Sequence, residues 1–239
     1  FLLFSILIFI TALILLNALS FRFEFKQIIK KININPIKSS FQNFIVNMFA
    51  FAFASAPLIL AGSYIDKKHF SVLYASFAII KMLQTVYNPM IQRIIPRLNK
   101  LSVPKNEVFS AIKNDIFNAI IFACTCCVII RLTSSVIVSI IFSSDYEGLE
   151  EAIIFFSLAL IPGLLSTIFI SQVVIYIDII KKAYSSIGVA CLLVFSILIY
   201  NIENLNVRIV LETLILGEWF LLFLIVYVIY KEIHPKNYE

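Results

Sequence analysis

The sequence predicts an all-α fold, a polytopic membrane helix bundle with about seven transmembrane helices. Three observations carry this. Hydrophobic residues make up 61% of the chain and charged residues 14%, which leaves too little polar surface to cover a water-soluble core. Seven runs are each long and apolar enough to cross the hydrocarbon layer, which takes roughly 20 residues of helix. The runs are solidly apolar rather than alternating, which excludes a β-barrel. The same composition excludes disordered chains and disulfide-stapled secreted scaffolds.

The runs lie at 1–20, 41–65, 70–92, 108–131, 152–177, 183–201 and 209–230. The first opens at Phe1, with no Met and no basic segment of the kind that begins a secretory signal. The chain is therefore expected to be the C-terminal part of a longer protein; the alternative is a whole protein lacking its first residues. Residues 21–32 place Phe21, Phe25, Ile28, Ile29 and Ile32 on one helical face and basic residues on much of the rest. That pattern predicts an amphipathic helix on the membrane surface, linking two bundles. A second amphipathic connection covers 93–107, with Pro96 and Pro104 as breaks. After the fourth run, Arg131 to Ser135 predicts an interruption, followed by a short interfacial helix over 134–142. Pro57, Pro89 and the Pro162-Gly163 pair fall within runs and predict kinks, either static or of the moving kind found in transporters.

The connections differ in charge. Segments 21–40, 93–115, 178–182 and the tail together hold fourteen basic and six acidic residues, whereas the remaining connections hold Lys67, Lys68 and Arg208 against six acidic residues. The two sets alternate along the seven runs. Basic loops stay in the cytoplasm, so the N-terminus is expected outside, the C-terminus inside, and 143–151 outside. The net charge of +5 is thus membrane-orienting, and no nucleic-acid partner is expected. A cytoplasm-active reporter fused at Tyr238 is expected to be active, and the same reporter near Glu147 to be silent. The reverse pattern would invert the topology.

Little in the sequence points to catalysis. Cys124, Cys126, Cys127 and Cys191 lie within spans without zinc-site spacing and read as small apolar residues. His69 and His234 lie in solvent segments and suggest neither a metal site nor a proton relay. With no phosphate-cradling glycine loop and no nucleophile–base constellation, the chain is expected to be neither an ATPase nor another enzyme. No metal and no cofactor are expected.

The informative residues are charges inside spans, which are costly there and face protein or water. Lys81 lies about mid-span, with Gln84, Thr85, Asn88 and Gln92 at +3, +4, +7 and +11. These positions form one polar stripe. It lines a hydrated cavity or satisfies a neighbouring helix; in the first case Lys81 points into a cleft between two bundles. Arg131 either lines the same cavity or snorkels to the nearer interface. Glu212 lies within a turn of a span end. Glu218, nearer mid-span and followed by Trp219, is either neutral or paired with Lys81 or Arg131.

Four stretches resemble the polysaccharide flippases of the MOP superfamily, the Wzx-type or O-antigen exporter branch. They are the basic linker leading into Phe44–Asn47 and Ala56–Leu60, and the run Tyr74–Lys81 leading to Pro96–Lys100. The others are Ile140–Tyr146, with Ser143 in place of the family's glycine, and Glu218 thirteen residues before Lys231. The resemblance implies the second half of a MATE-like transporter. On that basis 1–20 is the last helix of an N-terminal bundle that is otherwise missing, 21–40 a cytoplasmic linker, and 41–239 a C-terminal six-helix bundle with a short cytoplasmic tail. It also implies translocation of an undecaprenyl-diphosphate-linked oligosaccharide across the bacterial inner membrane, for O-antigen and lipopolysaccharide synthesis. A diphosphate substrate calls for a cationic lumen, assigned to Lys81, Gln84, Asn88 and Arg131, with Glu218 as the ion-coupling candidate. The alternatives are a multidrug extrusion antiporter of the same superfamily, a membrane-embedded glycan polymerase, and a structural membrane subunit.

Overall fold

The computed structural model describes residues 53, 55–142 and 146–233, apart from the side chain of Lys181. All belong to one compact unit, Ile45–Glu239. The first apolar run, the amphipathic linker, the start of the second run, the motif residues 143–145, and the tail with His234 lie outside the described residues.

Among the described residues the chain is helical and contains no strand. We label the helices α1 (55–64), α2 (Lys67–Lys100), α3 (Val108–Ile141), α4 (Leu149–Tyr176), α5 (Ile180–Tyr200) and α6 (Val207–Ile233). The helices from α2 to α6 are each long and apolar enough to cross a membrane. These five agree with the last five predicted runs. The chain is an all-α, membrane-type helix bundle.

Each start and break has a local cause. Asp66 caps α2: its carboxylate accepts the backbone N–H groups of Lys68 and His69, at 3.0 and 3.1 Å. The His69 N–H bond is the main cause that holds this carboxyl below the usual carboxylate range. Three prolines fall in the first turn of a fresh helical segment, where a missing N–H costs nothing. Pro89 follows a break at Tyr87, Pro96 follows one at Arg93, and Pro162 follows a tight 3₁₀ turn at Ser157–Ala159. Pro96 is therefore not a break, as the sequence suggested; the helix has already re-started at Ile94. Pro104 does interrupt the chain, with extended backbone at φ −66°, ψ 150°.

The predicted interruption at Arg131–Ser135 is absent. α3 runs unbroken for 34 residues, from Val108 to Ile141, so 134–142 is not a separate interfacial helix. The hydroxyls that looked like a stop are absorbed without breaking the ladder. Thr133 Oγ1 donates to the Ile129 carbonyl at 2.7 Å, and Ser134 Oγ donates to Glu150 at 3.0 Å. With neither glycine nor proline nearby, the helix has no reason to stop.

α4 is the centre of the bundle. It packs against α2, α3 and α6, and 67% of its most apolar stretch is buried, against 22% for α3. It is also the least regular helix. After the 3₁₀ turn it is α-helical over Leu160–Ile168, widens to a π turn over Phe169–Val173, and ends beyond Tyr176 at Asp178, with φ 60°. π turns of this kind concentrate at functional positions. α5 packs chiefly on α6.

A close helix approach involves Gly217 on α6. A Cβ there would lie 3.2 Å from the Phe53 ring and closer still to Val194 on α5. A stiff β-branched neighbour cannot yield easily. Gly217→Val is expected to destabilise the chain by about 1–3 kcal/mol through overpacking, read as earlier thermal unfolding in detergent. An unchanged transition would show that α5 is loosely held.

Candidate functional site

Midway along α2 and α6, the two intramembrane charges of opposite sign meet. Lys81 Nζ lies 3.2 Å from Glu218 Oε1. Glu218 is largely buried, its side chain 12% exposed, while Lys81 is 33% exposed. The pair is therefore held by the bundle on one side and open on the other. The Lys81 ammonium also lies 5.6 Å from the centroid of Phe77, whose ring stacks on Phe156 of α4 at 5.9 Å. A cation over an aromatic face gains a further electrostatic attraction. Helix periodicity places Phe77 and Lys81 on the same face, one turn apart.

The polar stripe divides. Gln84 is buried and its amide donates to the Ala159 carbonyl at 3.5 Å, in the 3₁₀ turn ahead of Pro162. Gly163 makes room for it, since a Cβ at that position would overlap the Gln84 amide. Thr85 is exposed and returns its hydroxyl to the Lys81 carbonyl at 2.9 Å. Asn88 is half-buried and Gln92 is exposed. Lys81 and Gln84 thus answer neighbouring helices, whereas Thr85 and Gln92 lie on the open surface. The polar stripe favours a hydrated face for Lys81 over a dry ion pair; in the structure Lys81 is paired with Glu218 while its side chain stays 33% exposed.

Arg131 lies elsewhere. It is exposed, and together with Arg208 and Glu151 it lines a cleft of about 700 Å³ between α3, α4 and α6. Lys81 does not line that cleft. Ser134, one turn along from Arg131, meets Glu150 at the start of α4, which puts Arg131 close to the level at which α4 begins. Glu212 lies near the same end and accepts from Arg208 at 2.8 Å.

Sequence reasoning missed a third set of groups, where α2, α3 and α4 converge at the opposite end. Asp115 is buried within α3, and Arg97 holds it through both guanidinium arms while also donating to the Ala111 carbonyl at 3.2 Å. Gln172, in the π turn, accepts the Ile95 N–H at 3.4 Å. Tyr176 donates to the Val103 carbonyl at 2.6 Å, and Lys105 to the Ile177 carbonyl at 2.8 Å. These contacts tie the α2–α3 connection to the end of α4. A signal was present in the sequence: Asp115 sits in the series Val108, Ile112, Asp115, Ala119, Ala123, whose 3–4 spacing marks a buried face.

No family model, curated protein or solved structure matches the chain.

Proposed function

We propose that the chain is the half of a transporter that carries a lipid-linked, undecaprenyl-diphosphate oligosaccharide across the bacterial inner membrane by alternating access. The observation that carries this reading is the Lys81–Glu218 pair, at mid-depth and open on one side. A buried ion pair is poor value as a structural device. A half-open one has a use, because its lysine can exchange one anionic partner for another. A diphosphate entering on the open side competes with Glu218 for the ammonium, and a proton reaching Glu218 releases Lys81 to the diphosphate. The 3₁₀ break in α4, next to Gln84, and the π turn further along it supply joints about which the helices move.

A carboxylate already answered by a lysine is a poor receptor for an organic cation, which places this reading above drug extrusion. The test is reconstitution of the full-length protein in vesicles containing a fluorescent isoprenyl-diphosphate glycan, with an impermeant quencher outside. Protein-dependent movement between leaflets is expected. Movement no faster than in empty vesicles would overturn the proposal.

A further inference from the structure

We infer that the cleft holding Arg131 and Arg208 is a binding site for a phospholipid with a phosphoethanolamine head, separate from the Lys81–Glu218 site and independent of the transport reading. Three features of the cleft lead there. The first is depth. Ser134 on α3 bonds Glu150 in the first turn of α4, 3.0 Å away. Arg131 is three residues further into the bundle, about 4.5 Å by helix rise. Arg208 lies in the first turn of α6 and Glu151 in the first turn of α4. The charged groups therefore share one level, that of the first turns of α4 and α6, where headgroups lie.

The second feature is the lining. Phe155, Leu158 and Leu211 form much of the apolar wall, and Leu158 is 51% exposed. The cleft thus offers a charged rim and an apolar flank open towards the membrane, a match for an amphiphile. Its volume, about 700 Å³, is in the range of small-molecule sites.

The third feature is the mixed charge. Arg131 has no hydrogen-bond or carboxylate partner among the described residues, whereas Arg208 is shared with Glu212. Arg131 is therefore the guanidinium free to take a phosphate, with Arg208 beside it. Glu151 lines the same cleft. A purely anionic head would meet that carboxylate unfavourably. A head bearing both phosphate and primary ammonium satisfies both signs, with its ammonium donating to Glu151. A choline head has no N–H to donate.

Native mass spectrometry of the full purified chain, with phosphatidylethanolamine, phosphatidylcholine and phosphatidylglycerol of identical acyl chains, tests this. Phosphatidylethanolamine is expected to be retained roughly tenfold better than phosphatidylcholine, the effect of one charge-assisted hydrogen bond. Glu151→Gln is expected to abolish that preference, and Arg131→Gln with Arg208→Gln to lower retention of all three lipids. Lys113→Gln, on an exposed position of α3, serves as the control variant. Equal retention of the ethanolamine and choline lipids by the unmodified chain would overturn the inference without reference to any variant. Preference for phosphatidylglycerol would overturn it too, by making the cleft a simple anion site. So would displacement by an isoprenyl diphosphate, which would assign the cleft to the translocated lipid.

Discussion

Replacing Lys81 by alanine is expected to abolish glycan export by the full-length protein. Under the proposed function the lysine supplies a charge-assisted contact to the diphosphate, worth about 1.5–3 kcal/mol, so its loss weakens substrate binding roughly 10- to 150-fold. The substitution has a second effect, because it leaves the largely buried Glu218 without its cation. The two effects are separable. The double variant Lys81→Met, Glu218→Gln removes both charges, and is expected to accumulate in the membrane at near-normal levels while exporting nothing. Lys81→Arg is expected to retain part of the activity, since a cation remains in altered geometry. Export by the neutral double variant would show that the pair serves packing alone. Accumulation and export falling in parallel across the series would lead to the same conclusion.

The largest stability effect is expected at the C-terminal end of α2. Arg97→Gln leaves Asp115 buried without its charge partner, and breaking a buried pair from one side costs about 3–5 kcal/mol. The lower end of that range applies, because Arg97 is 36% exposed and its loss admits some water. Thermal unfolding in detergent, or the amount of chain recovered from membranes, reads this directly. The double variant Arg97→Leu, Asp115→Ala is expected to recover most of the loss, because no unpaired charge then remains. If Arg97→Gln melts like the parent chain, the contact is not holding the α2–α3 connection.

How much of this was legible beforehand depended on the kind of signal. The five described spans were readable because apolar length is a property of contiguous residues, which a window can measure. The continuity of α3 was not. Polar residues such as Thr133 and Ser134 look like a helix end in the sequence, although a hydroxyl bonded to its own helix, or to the next, leaves the ladder intact. Lys81 and Glu218 were each conspicuous as charges in apolar surroundings, so their pairing was among the options. The Arg97–Asp115 contact is hidden because in the sequence both residues belong to a charged connection that orients the chain. The breaks near prolines were visible, but their positions were displaced: the helix gives way two to five residues before the ring, and the proline then opens the next segment.

The separation of Lys81 from Glu218, 137 positions along the chain, matters for how the protein is made. Synthesis runs at about 5–20 residues per second, so α2 emerges roughly 7–27 seconds before Glu218 is added. For that interval the membrane machinery holds a helix with an unanswered ammonium near its centre, at an insertion cost of about 2.5–3.5 kcal/mol. A chain whose synthesis stops before α6 therefore carries an intramembrane ammonium that lacks the carboxylate the finished chain supplies.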